Sequence, residues 1–397
     1  MTTKLRAASF QDGAVTTAKI AADAITNAKI ADGAVDSDAI GSSAIVADKL
    51  GIGQISGRRN MVINGAMQVA QRGTSSTGLG AADGYFTVDR FPLAFNTSGR
   101  LTMTQESITD LSGFPKALKL ACTTADTSIA AGEYVLLQYK FEGQDVQQLK
   151  KNTSDAEKFT ISFYVKGNAN ATYTLEVKDQ TNGRNNSQNF NVTTSWNRVS
   201  LTFAGDTAGS SLINNDNSLE LFFQIWLHAG STYNGGTFAS NTWIDQVQNV
   251  RSDSSNASFL DSTSRTFFIT GIQMEVGSQA TPFEHRSFGE ELALCERYHQ
   301  RFSDGDGTSS NTTTALFGME YRQQMRSSPS FSLSAALQIT NGHAWDKTQS
   351  SASVAIVASR VTAKGVQISC ANFSSLTQYQ PVAINNSGGV IIADAEL

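Results

Sequence analysis

The chain has 397 residues, 40% hydrophobic and only 16% charged, with 30 basic against 35 acidic residues and a formal net charge of −5. At roughly 100–200 residues per domain this length allows two or three domains, each able to bury a core, which excludes general disorder. With no clustered Lys and Arg the composition also speaks against nucleic acid as a partner. Cys122, Cys295 and Cys370 are odd in number and far apart, so neither a disulfide framework nor a Cys-x-x-Cys metal knuckle is expected. No apolar run reaches the length of a membrane span, and Met1–Phe10 (MTTKLRAASF) lacks the apolar centre of a secretory signal, so synthesis and folding in a cytoplasm are expected.

The first element in chain order is a repeat. From Asp12 to Gly51 the sequence recurs every ten residues, with a branched apolar residue at every fifth position: Val15, Ile20, Ile25, Ile30, Val35, Ile40, Ile45 and Leu50. A spacing of five matches neither one helix face nor one strand face, so a lone chain has no way to bury the row. Ala14, Ala24, Ala34 and Ala44 precede alternate members and allow close backbone approach. Residues 1–57 are therefore expected to form an attachment segment and thin stem shared by several chains, a trimer being the simplest closure; a flexible linker is the alternative.

Residues 58–286 change to short alternating runs between turn-rich stretches, which predicts an antiparallel β-sandwich of jelly-roll type. Phe159, Ile161, Phe163 and Val165 share one face, as do Val199, Leu201 and Phe203. The expected core includes Leu118, Leu120, Ile161, Phe163, Leu175, Leu201, Leu221, Phe223, Ile225, Phe268 and Ile272. In Leu219–His228 the odd positions are apolar and read as core, so Glu220, Phe222, Gln224, Trp226 and His228 read as outward. Outward aromatic rings interleaved with amides suit a sugar, whose C–H faces lie on rings while its hydroxyls take directed hydrogen bonds. Phe222, Gln224 and Trp226, with Tyr233 and Asn234 from the following loop, are thus the candidate carbohydrate-binding residues. The competing reading has this face covered by a loop or a neighbouring chain.

Ser287 and Glu290 have capping-box spacing and open a predicted helix over 287–302. Phe288, Leu292, Cys295 and Phe302, with His299 in the same row, form a narrow seam suited to a threefold axis or to packing on the sandwich. Residues 303–397 read as a small β tip domain. The overall expectation is a mostly β chain. No H-E-x-x-H, G-x-S-x-G or phosphate-loop pattern occurs, so no catalytic residue, metal or cofactor is assigned.

Three stretches resemble bacteriophage tail-fibre proteins with a carbohydrate-binding-module-like jelly roll: Arg59–Gly73 (RNMVINGAMQVAQRG) followed by Tyr85–Phe91, then Ile269–Ser287 (ITGIQMEVGSQATPFEHRS), and Gly289–Gln300 (GEELALCERYHQ) with Met325–Ser330 further on. The decapeptide repeat is similar to the stems of such fibres. The resemblance implies a homotrimeric virion appendage, assembled in the host cytoplasm. Its N-terminus would join other virion proteins at the tail or neck, and it would contact host-surface polysaccharide without inserting into a membrane. Phe91 departs from the Trp that relatives often carry after Asp-Arg. A purely structural neck, head or collar fibre and a polysaccharide depolymerase are the alternatives.

Overall fold

The computed structural model describes residues 57–397 apart from 342–343, 349–353, 357–360, 363 and 386–387, together with Ile20 and Ile30. The other stem positions, Val15, Ile25, Val35, Ile40, Ile45 and Leu50, lie outside the described residues; Ile20 and Ile30 are exposed in the single chain. The chain divides into two units, Met1–Gly51 and Ile52–Leu397.

Within the second unit, twelve strands form a sandwich. In chain order they are β1 (Ser75–Leu79), β2 (Leu93–Asn96), β3 (Arg100–Ser107), β4 (Lys116–Thr124), β5 (Tyr134–Glu142), β6 (Phe159–Gly167), β7 (Ala171–Asp179), β8 (Arg184–Val192), β9 (Asn197–Phe203), β10 (Leu219–Ala229), β11 (Ile244–Asp245) and β12 (Thr266–Val276). One sheet runs β1-β3-β4-β12-β6-β9 and the other β11-β8-β7-β10-β5-β2, all strand pairs being antiparallel. The predicted alternation in β6 and β9 is observed: Phe159, Ile161, Phe163, Val165, Val199, Leu201 and Phe203 all enter the main core. Burying such side chains against both inner faces supplies the main driving force for the fold.

Phe268 does not enter that core. Its neighbour Phe267 does, and Phe268 is half-buried against Trp196 at 6.3 Å. The cause is a β-bulge: β12 shifts register against β6 between Thr270 and Gln273, and Gly271 sits there at φ 63°. One extra residue reverses side-chain parity, so Phe267 and Ile269 before the bulge and Ile272 and Met274 after it all face inward.

The stretches singled out in the sequence meet at one place. Asn60 Oδ1 accepts from the backbone N–H of Val62 and Met274, while Glu284 accepts from the N–H of Arg59 and Asn60, both at 2.7 Å. A Cβ on Gly65 would lie 2.1 Å from the Ile272 carbonyl oxygen, which explains the glycine of Asn64-Gly65. Glu275 accepts from Thr281 N–H and Gln273, closing the strand exit with hydrogen bonds.

Two helices are relevant here, the single turn α1 (Ser231–Asn234) and α2 (Phe288–Glu296). Ser287 caps α2 as expected, its Oγ accepting from Glu290 N–H at 3.3 Å. The helix is shorter than predicted, and the seam does not exist as one row. Phe288 is 58% exposed, Leu292 is half-buried, Cys295 is buried, and Phe302 lies on a strand in a second core. Glu291 is buried as well, where it accepts from Asn64 N–H at 2.5 Å and pairs with Arg286.

Beyond α2 the chain forms β13 (His299–Phe302), β14 (Asp306–Ser309), β15 (Ala315–Glu320), β16 (Ser330–Leu333), β17 (Gln338–Asn341), β18 (Ala344–Thr348), β19 (Val354–Ile356), β20 (Gly365–Cys370), β21 (Pro381–Asn385) and β22 (Ile391–Asp394). These make a sheet β13-β22-β16 and a second sheet β18-β17-β21-β14-β15-β20-β19, with their own core around Phe317, Ile368 and Ile391. Pairing of β13 with β22, His299 opposite Asp394, is what ends the helix early.

Asp394 accepts from His299 Nδ1 at 3.1 Å and from Arg72 at 2.8 Å. Burial alone would raise its carboxyl, but the His299 hydrogen bond and the Arg72 charge outweigh burial and hold it well below the usual carboxylate range. Its contribution to stability is therefore complete above the unfolded value of about 3.9 and is lost as pH falls from there toward the folded value. Asp394→Asn should flatten the acid limb of a stability-against-pH curve below about pH 4. An unchanged acid limb would show that this carboxylate is not coupled to folding.

Candidate functional site

The outward residues of β10 are positioned by its two neighbours. Trp226 stands opposite Leu136 and Thr174, Gln224 opposite Gln138 and Glu176, and Phe222 opposite Lys140 and Lys178. Leu221, Phe223 and Ile225 point into the main core, so Phe222, Gln224 and Trp226 belong to the opposite face of that sheet, the parity predicted for them. Their exposure is a different matter: 7%, 1% and 0% respectively. The face is covered by the chain itself. Tyr233 from α1 lies 5.0 Å from the Trp226 ring, the Arg251 guanidinium is also 5.0 Å from it, and Ala94 and Leu136 complete a small apolar cluster.

Beneath this cover Glu176 organises the floor. Its carboxylate accepts from Arg251 Nε at 2.9 Å and Nη2 at 3.1 Å, from Gln224 Nε2 at 2.5 Å and from Trp226 Nε1 at 2.8 Å. The Gln224 amide oxygen accepts in turn from Gln138 at 2.8 Å. A buried carboxylate that accepts from this many donors holds its partners in single orientations. Lys178 lies 5.5 Å from the Phe222 ring, and burial together with the Arg251 charge pulls its ammonium below the ordinary value, Glu176 acting against them.

Above the floor is a cleft of about 330 Å³. Trp226, Gln224, Phe222 and Arg251 form its base, and Tyr134, Tyr233, Gln138, Gln248 and Asp83 form its walls and rim. The Tyr134 and Tyr233 rings meet edge to face at 5.5 Å. Asn234 is not part of the lining; its side-chain amide donates to the Ala229 carbonyl and closes the turn. The two ends of the predicted outward row are buried like its middle. Glu220 is buried against Lys151 at 2.5 Å, and His228 is buried beside Ser258. β10 shifts register against β5 at Leu219/Leu221 and Trp226/His228, yet Leu227 enters the main core with Leu221, Phe223 and Ile225, so the alternation continues to the end of the strand.

Neither a protein family nor a curated protein sequence matches this chain. Among solved structures it is similar to CBM4, at 10% identity and TM-score 0.25, over 47% of this chain and 86% of the other. It is also similar to a family 11 carbohydrate-binding module of a Clostridium thermocellum cellulosomal cellulase, at 12% identity and TM-score 0.26, over 53% and 98% of the two chains. A third similarity is to TmCBM61 in complex with β-1,4-galactotriose, at 9% identity and TM-score 0.27, over 55% and 99%.

Tyr134, Gln138, Gln248, Arg251 and Asp83 were not singled out from sequence. Tyr134 and Gln138 carry a readable signal, since Val135, Leu137, Tyr139 and Phe141 alternate with them and face the core. Gln248, Arg251 and Asp83 come from irregular segments that carry no such period. Among the described residues, Asp126, Glu133 and His228 form a group able to hold a metal ion.

Proposed function

We propose that the chain is a fibre protein of a bacteriophage virion, homotrimeric through its N-terminal stem, that binds host-surface polysaccharide in the Tyr134–Tyr233 cleft without cleaving it. The cleft itself carries the ligand reading: two half-buried tyrosines at its walls, amides of Gln138 and Gln248, and the Asp83 carboxylate at the rim. Tyrosine rings offer an apolar face to pyranose C–H groups, and the amides and carboxylate match hydroxyls. The fibre reading rests on the three sequence stretches and the decapeptide repeat. Binding rather than hydrolysis is supported by the cleft lining, which contains a single carboxylate, Asp83, where glycoside hydrolysis takes a pair. Three weak sites on one stem would act together and raise the effective affinity.

The test is retention of the soluble protein on an array of host-surface polysaccharides, with released reducing ends read in parallel. Retention without release is expected, and Tyr134→Ala or Tyr233→Ala should each weaken it by about tenfold, roughly 1.4 kcal/mol. Release of reducing ends would make the chain a depolymerase. No retention of the folded wild type would favour a purely structural fibre.

A further inference from the structure

We propose that Asp126, Glu133 and His228 bind one divalent transition-metal ion of the Zn²⁺ class. One donor atom from each of the three lies within 4.8 Å of the others. His228 Nε2 and Glu133 Oε2 are 3.8 Å apart, too far for a hydrogen bond. That is close to the roughly 3.4 Å between two donors placed ~2.1 Å from one tetrahedral ion.

The observation that asks for a ligand is His228 itself. Its side chain is 0% exposed, and Nε2, which faces the Glu133 carboxylate at 3.8 Å, has no hydrogen-bond partner. An orphaned buried nitrogen is costly, and a lone pair facing carboxylate oxygens is repulsive. A cation between them removes both penalties.

The surroundings hold each donor. His228 Nδ1 lies 2.8 Å from Ser258 Oγ, which already accepts from Leu260 N–H at 3.1 Å. A proton on Nδ1 donated to Ser258 leaves Nε2 as the ligand, the arrangement that orients metal-binding histidines. Asp126 Oδ2 accepts from Thr97 Oγ1 at 2.7 Å and Ser98 N–H at 3.1 Å, and Glu133 Oε2 accepts from Ala130 N–H at 2.7 Å. One imidazole with two carboxylates is a mixed nitrogen and oxygen set, better matched to Zn²⁺ than to the all-oxygen preference of Ca²⁺.

The site would brace the cleft. Glu133 immediately precedes Tyr134 of β5, and His228 stands opposite Val135 near the end of β10, before the turn that carries Tyr233. Gly230 N–H donates to the Glu133 carbonyl at 2.8 Å, so an ion here would tie together the two strand ends on which the cleft tyrosines stand.

The experiment uses the full chain freed of metal with a chelator and titrated calorimetrically with ZnCl₂ alone, then with CaCl₂, with Co²⁺ as a spectroscopic substitute. One Zn²⁺ per chain, a tetrahedral Co²⁺ spectrum and a Tm rise of at least about 2 °C at hundredfold excess over Kd are expected. Glu133→Gln, which keeps shape and leaves the buried histidine intact, should bind at least about tenfold more weakly, and Ser258→Ala, which removes only the orienting hydroxyl, should also weaken binding. His228→Gln should abolish the Co²⁺ spectrum; if it does not fold, Glu133→Gln decides. Absence of stoichiometric Zn²⁺ binding by the wild type, a preference for Ca²⁺, or unchanged Zn²⁺ affinity in folded Glu133→Gln would each overturn the assignment.

Discussion

Arg90→Met destabilises the Ile52–Leu397 unit by about 3–5 kcal/mol, the cost expected when one partner of a buried ion pair is removed. Arg90 is 1% exposed, and its guanidinium pairs with Glu396, donates to the Lys140 carbonyl at 2.8 Å and lies 3.4 Å from the Tyr298 ring centroid. These contacts join the sandwich to the end of α2 and to the segment after β22, so one side chain connects parts of the chain with separate hydrophobic cores. Glu396 keeps Arg72 as a partner at 3.2 Å, which limits the loss. Arg90→Lys retains the charge but cannot reproduce the forked contacts, and should fall between wild type and Arg90→Met. Urea denaturation followed by tyrosine and tryptophan fluorescence reads the shift. An Arg90→Met midpoint equal to wild type would show that the pair contributes nothing net.

Trp226→Ala should cost a similar ~3–5 kcal/mol, as expected for emptying a fully buried aromatic site. The loss includes packing against Tyr233, the Arg251 cation over the ring and the Nε1 hydrogen bond to Glu176. Since Glu176 also holds Gln224 and Arg251, the change loosens the whole cleft floor. A fall in glycan retention by this variant therefore combines destabilisation with loss of part of the cleft base. Tyr233→Ala, at a half-buried wall position, should lose retention with a stability change of no more than about 1 kcal/mol. Equal stability losses for the two variants would mean that Tyr233 is core rather than wall.

The contrast between these residues shows where sequence periodicity stops being informative. Alternation correctly separated the faces of β6, β9 and the middle of β10, because side-chain direction in a regular strand depends only on residue parity. It failed for Phe268, and the failure lies beside a register shift. A bulge inserts one residue and reverses the parity beyond it, and the sequence marks it weakly, here only by Gly271 in β12. The α2 seam failed for another reason. Ser287 signals the helix start locally, but the end is imposed by β22, to which His299–Phe302 pair across some ninety positions of chain.

Exposure was not legible at all. Parity places Trp226 on the outer face of its sheet, yet whether that face meets water depends on Tyr233 and Arg251, brought over it from two separate segments. The same holds for Asp126, Glu133 and His228, whose separations in sequence match no metal-binding spacing. What the sequence determined by itself was local and periodic: a mostly β chain, the core faces of its regular strands, the cap of α2 and the ten-residue repeat of its N-terminal segment. Tertiary structure alone decided what covers a face and which distant polar groups converge, because burial and electrostatic pairing are set by long-range contacts that no local period encodes.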